Sequence, residues 1–180
     1  MVTLLGGFLT SLILREFQYY LAARSGDAVS MDMDLIALIP IVLAMAGNAG
    51  IQSSTLLVRS IAIRGLHGRN IKKLFTREIY TGAIMGVICG MLLGAWSILI
   101  TTQPLTANIT PLQLAGVVAF AQFCAMTFAT VFGAVVPIAL HRFKVDPAIA
   151  SGPFVIIAND VAALLIYFGI LALLLAQIGA

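Results

Sequence analysis

Apolar residues fall along this chain in five long stretches, at 2–23, 34–58, 79–100, 111–140 and 147–178, separated by short polar connections. A helix needs about 20 apolar residues to cross a bilayer, so each stretch predicts a transmembrane helix. The last two exceed that length and must tilt, kink or extend beyond the hydrocarbon. The first lies where a signal peptide would. It lacks a basic start and a small-residue cleavage site ahead of a polar region, and it reads as a span. The predicted fold class is an all-α membrane protein with five transmembrane helices per subunit.

Polar positions break this pattern most sharply in the fifth stretch. Asp160 is the only Asp, Glu, Lys or Arg between 147 and 178. A charge at mid-bilayer costs roughly 3 kcal/mol on insertion scales, and it usually faces a bundle interior or a watery cavity. Ser151, Gly152 and Pro153 precede it and Asn159 adjoins it, so its surroundings are small and polar. This combination reads as the lining of an ion pathway. A structural hydrogen bond to a neighbouring helix is the plainer alternative. Gly152 and Pro153 interrupt the early part of the span and can free backbone carbonyls, which membranes tolerate only inside protein or along a watery cavity.

The second stretch is broken by Pro40, Gly47, Asn48, Gly50, Gln52, Ser53, Ser54 and Thr55. On a helix Asn48 and Gln52 share a face, with Thr55 beside them. That face suits water or a hydrated ion; a helix-packing seam fits it equally well. The other spans read as scaffold. Gly82, Gly86, Gly90 and Gly94 recur every four residues on the third, a small-residue ridge for close helix packing. Gln122, Thr127 and Thr130 on the fourth can bond internally, and Arg15 and Glu16 on the first can pair or snorkel. Glu78 starts the third span and Asp146 the fifth. Each either gathers cations at an inner mouth or simply caps a helix terminus.

Composition agrees with the pattern. The 180 residues are 61% hydrophobic and 9% charged, against roughly 25% charged in soluble domains. Charge then orients the chain. The connection after the second span carries Arg59, Arg64, Arg69, Lys72, Lys73 and Arg77, and that after the fourth carries Arg142 and Lys144; residues 101–110 carry none. The positive-inside rule places the second and fourth connections, and hence the N-terminus, in the cytoplasm and the C-terminus outside. No basic patch interleaved with aromatics points to nucleic acid. Cys89 and Cys124 are lone thiols without CxxC spacing, which supports no soft-metal or redox site. His67 and His141 fall in basic loops. Met1 is followed at once by apolar sequence, and the expectation is a truncated chain or a natural form without a cytoplasmic domain.

One carboxylate among amide, hydroxyl and carbonyl oxygens is a hard-ligand set, suited to Mg²⁺, Ca²⁺ or Mn²⁺. It cannot strip and cage a small dication. Mg²⁺ keeps several waters reluctantly released, so a single carboxylate would attract the hydrated ion. Five helices are few to enclose a pore, and a two-fold homodimer would present Asp160 twice around a shared axis.

Two motifs carry a resemblance to a known family. The first is Pro40 followed by Gly47-Asn48-Ala49-Gly50-Ile51-Gln52-Ser53-Ser54-Thr55 and Arg59. The second is Asp146-Pro147-Ala148, Ser151-Gly152-Pro153 and Asn159-Asp160-Val161, followed by Ile166-Tyr167-Phe168. In these the chain resembles the transmembrane domain of the MgtE magnesium channel/transporter family, over essentially its whole length. The resemblance implies a ten-helix homodimer with a Mg²⁺ pathway near the two-fold interface, lined mainly by the second and fifth helices. It implies that Asp160 is the principal ion-site carboxylate and that Asp146 supplies further contacts at the cytoplasmic end. Asn48, Gln52, Thr55, Ser151, Gly152 and Asn159 are then pore-lining candidates, with Glu78 at the cytoplasmic mouth. Some members have Asn where this chain has Gly152, which leaves only backbone oxygens there. The family's cytoplasmic N-terminal and CBS domains have no counterpart in these 180 residues, so a less regulated pore is expected.

The leading expectation is therefore a Mg²⁺ channel or transporter of a bacterial or archaeal plasma membrane, driven by the membrane potential. An exchanger coupled to H⁺ or Na⁺ is the alternative. A membrane enzyme would need His, Asp or Glu clustered near one interface, and the pattern here offers one deep carboxylate. A non-transporting assembly subunit would explain the glycine ridge but not Asp160.

Overall fold

A computed structural model describes residues 8–17, 19, 33–64, 68–100 and 110–178. All of its regular structure is helical: α1 (8–17), α2 (Met33–Arg64), α3 (Gly68–Ile100), α4 (Pro111–Arg142) and α5 (Pro147–Ile178). Among the described residues, four helices are long and apolar enough to cross a membrane, over Leu38–Ile63, Lys72–Ile100, Pro111–Arg142 and Gly152–Leu173. Half of the first predicted span, 2–23, lies outside the described residues; the described part is helical. α2 and α3 run past the predicted ends of their spans. Hydropathy marks only the apolar part of a helix, whereas the turns bearing Arg59, Lys72, Lys73 and Arg77 are helical and Arg59, Lys72, Lys73 and Arg77 are exposed.

The three internal prolines, Pro40, Pro137 and Pro153, sit inside unbroken helices. Each lacks an N–H, so the carbonyl four residues earlier loses its helical donor. The expected interruption near Gly152 and Pro153 is thus a missing hydrogen bond within a continuous α5.

α4 is the central helix and packs on α2, α3 and α5. Its start is fixed by a capping box: Gln113 N–H donates to Thr110 Oγ1 at 3.3 Å, and Thr110 N–H donates to Gln113 Oε1 at 2.9 Å. Two donors that a helix end would otherwise orphan are satisfied there. Its far end closes at Phe143, Lys144 turns at φ 59°, and Pro147 opens α5 almost at once. That short turn sends α5 back along α4.

The expected glycine ridge is the α3–α4 seam. Gly82 meets Thr130, Gly86 meets Phe123, Gly90 meets Ala119 and Gly94 meets Ala115. A Cβ on Gly90 would stand 2.5 Å from the Ala119 carbonyl oxygen, and on Gly94 2.7 Å from that of Ala115. The opposite face of α3, with Ile84, Val87, Ile88, Met91 and Leu92, is exposed and apolar, as a face turned to hydrocarbon is. On the other side of α4 a core of Val42, Ala46, Val118, Ala125, Leu164 and Tyr167 joins α2 and α5. α1 docks here through Phe17, whose ring stacks on Phe168 with centroids 3.9 Å apart.

Candidate cation site

α4 holds α2 and α5 side by side, and a cleft of about 260 Å³ opens between them. From α2 it is lined by Leu43, Ala44, Gly47, Asn48 and Ile51, and from α5 by Ile156 and Asp160. These positions repeat at three and four residues, so each helix contributes one stripe. Asp160 is half-buried, near the middle of its span, and Gly47 makes room for it. A Cβ on Gly47 would lie 3.6 Å from Asp160 Oδ1, so the carboxylate lies beside α2 at Gly47.

No donor or basic side chain among the described residues pairs with the Asp160 carboxylate. Nor does any group of three or more His, Cys, Asp or Glu converge among them. The cleft offers one carboxylate and the Asn48 amide beside small and apolar walls. Such a set is chemically suited to a dication that keeps its water shell.

The other site candidates fall in different places. Asn48 joins Asp160 in the cleft. Gln52 and Thr55 are exposed further along α2, and the Thr55 hydroxyl donates to the Ile51 carbonyl at 2.8 Å. Gly152 is half-exposed, with no atom within 4 Å of where a Cβ would be. Ser151 lies in α5 but its side chain is outside the described set. Asp146 is exposed just before α5, about 20 Å from Asp160 by helix rise. An acidic side chain there suits the positive end of the helix.

Two candidates are turned away from the cleft. Glu78 is 4% exposed, one helical repeat before Gly82 on the face of α3 that meets α4. Asn159 is 1% exposed and packs against Gly50 and α4 rather than lining the cleft. Its stripe, Val155–Asn159–Ala163, is the buried one, while Ile156–Asp160 is the open one. Leu43, Ala44 and Ile156 were not expected in the lining. Helical spacing was the available signal, since Ala44 precedes Asn48 by four residues and Ile156 precedes Asp160 by four.

A larger groove of about 430 Å³ runs between α1 and α5, lined by Leu12, Phe17, Leu165 and Phe168 with Glu16 at its edge. It is apolar and brings no second group to Asp160.

Comparison with known proteins identifies the chain's relatives. The profile of the MgtE family, described as a divalent cation transporter, matches residues 39–170. The protein named magnesium transporter MgtE in Bacillus subtilis is 37% identical over 144 residues, covering 80% of this chain and 30% of that protein. Its namesake in Thermus thermophilus is 33% identical over 174 residues, 97% of this chain and 35% of its own length. That of Enterococcus faecalis is 32% identical over 162 residues, 90% and 34% respectively. The chain thus spans about a third of the length of these curated relatives. With the profile running from α2 through most of α5, this multi-pass membrane protein belongs to the MgtE divalent cation transporter family, a family of transporters and not of enzymes.

Proposed function

We propose that this chain is the membrane-spanning part of a Mg²⁺ transporter of the plasma membrane, and that hydrated Mg²⁺ passes Asp160 on its way to the cytoplasm. The observation that carries this reading is the Asp160 carboxylate, unpaired among the described residues and laid over Gly47 in a mid-span cleft that Asn48 shares. The names of the relatives supply the ion.

The exposed stripe of Asn48, Gln52 and Thr55 supports a homodimer. Amides and hydroxyls left against lipid are expensive, and a second copy covers them. Two-fold symmetry is the common solution; it brings two Asp160 side chains to one pathway, within a ten-helix assembly. Basic residues after α2 and α4 orient the N-terminus to the cytoplasm and the C-terminus outside. Asp146, exposed at the cytoplasmic end of α5, then gathers cations at the inner mouth. Glu78 belongs to the same end but is buried.

Uptake of Mg²⁺ into proteoliposomes under an inside-negative potential tests this reading. Asp160→Asn keeps size and polarity and removes the charge. Loss of uptake with the assembly intact is the expected result; equal uptake in both proteins would remove Asp160 from the pathway.

A further inference from the structure

We infer that Asn159 is a positioning residue: its side chain, seated in a socket of small residues on α2 and α4, fixes the rotation of α5 and thereby aims Asp160 into the cleft. This rests on the ion-site reading of Asp160. The socket is made by absent side chains. A Cβ on Gly50 would overlap the Asn159 amide nitrogen and stand 3.0 Å from its Cγ and 3.1 Å from the Ala129 carbonyl oxygen. Behind it, a Cβ on Gly133 would overlap the Gly50 carbonyl oxygen. Three helices therefore close on one another at Asn159: a methyl on Gly133 would meet backbone, and one on Gly50 would displace the Asn159 side chain.

Adjacent residues on a helix point about 100° apart. With Asn159 held in its socket, Asp160 has one direction left, over Gly47. A carboxylate carried about 6 Å from the helix axis moves about 2 Å for every 20° of rotation, beyond the ~0.5 Å that a working site tolerates. Stability does not explain asparagine here. Both amide atoms are buried without a hydrogen-bond partner among the described residues, and an unpartnered amide in a span is unfavourable. An apolar residue would fill the socket more cheaply.

The test is a thermal-unfolding cycle on the whole chain: wild type, Gly50→Ala, Asn159→Ala and the double variant, each with and without Mg²⁺, with Asp160→Asn as control. In metal-free buffer the added methyl and the removed amide compensate, so the double variant melts higher than Gly50→Ala alone. Mg²⁺ that binds the native state raises the midpoint with the logarithm of its concentration relative to its Kd. The Mg²⁺ concentration that gives a fixed rise increases about tenfold in Gly50→Ala, the scale of an overpacked contact, and falls back in the double variant. Additive midpoints, or a Gly50→Ala protein with the wild-type Mg²⁺ response, would overturn the inference. Should Gly50→Ala not fold, Asn159→Ala decides alone. It leaves space rather than a clash, and an unchanged Mg²⁺ response in it would overturn the inference as well. Compensating midpoints with no Mg²⁺ response even in wild type would sink the ion-site reading, and the aiming role with it, while leaving the contact.

Discussion

Asp160 Oδ1 lies 3.6 Å from the point where Gly47 would carry a Cβ. That is ordinary contact distance, unlike the overlaps at Gly50, Gly82 and Gly133. Gly47 therefore keeps space for something beside the carboxylate and is not needed to let two helices touch. Alanine fits there and is the better helix former by about 1 kcal/mol. Gly47→Ala should hold or raise the thermal midpoint while lowering Mg²⁺ uptake, because the methyl takes volume from the ion's water shell. Parallel melting and uptake curves check this. A variant that is both less stable and fully active would reverse the assignment.

Gly90 gives the opposite expectation. A methyl there meets the Ala119 backbone oxygen at 2.5 Å, and backbone cannot turn aside. Gly90→Ala should destabilise the fold by about 1–3 kcal/mol, as overpacking does. The seam is remote from the cleft, so the Mg²⁺ dependence of whatever folded protein remains should match wild type. Denaturation in detergent gives the first quantity and uptake normalised to folded protein the second.

These contrasts show what could be read from the chain. The long apolar helices, the packing role of the α3 ridge and the isolation of one carboxylate, Asp160, within its span follow from spacing and from one charge in an apolar run. The facing of individual side chains does not. Asn48 and Asn159 are the same residue type in equally polar neighbourhoods, yet Asn48 opens into the cleft and Asn159 is buried. The difference lies in which stripe of each helix α4 covers. Glu78 illustrates the same point: at the start of the third span it reads as a cation-gathering or helix-terminus charge, and it is 4% exposed, one turn before the Gly82 contact with Thr130.

The capping box at Thr110 offers a third check, on α4 itself. Thr110→Ala leaves the Gln113 N–H without its 3.3 Å acceptor and should remove about 1 kcal/mol of stability. Since α4 holds α2, α3 and α5, the loss should appear in the global unfolding transition. Thr110→Ser, which keeps the hydroxyl, should restore most of it. A transition unchanged in Thr110→Ala would mean that the helix start frays independently of the bundle.

The driving force gives the last prediction. Asp160 is the one carboxylate lining the cleft of this chain among the described residues, so a counter-ion would have to share the site of the dication. Movement past it should then follow the membrane potential. An inside-negative potential favours dication influx by about 4.6 kcal/mol per 100 mV, twice the single-charge value. Uptake should persist with equal H⁺ and equal Na⁺ on both sides and should rise steeply as a K⁺ diffusion potential is imposed. The decisive comparison is uptake with the potential clamped at zero and only a proton or sodium gradient present. Flux that follows either gradient under those conditions would make Asp160 a shared site for exchange and replace the conductive reading.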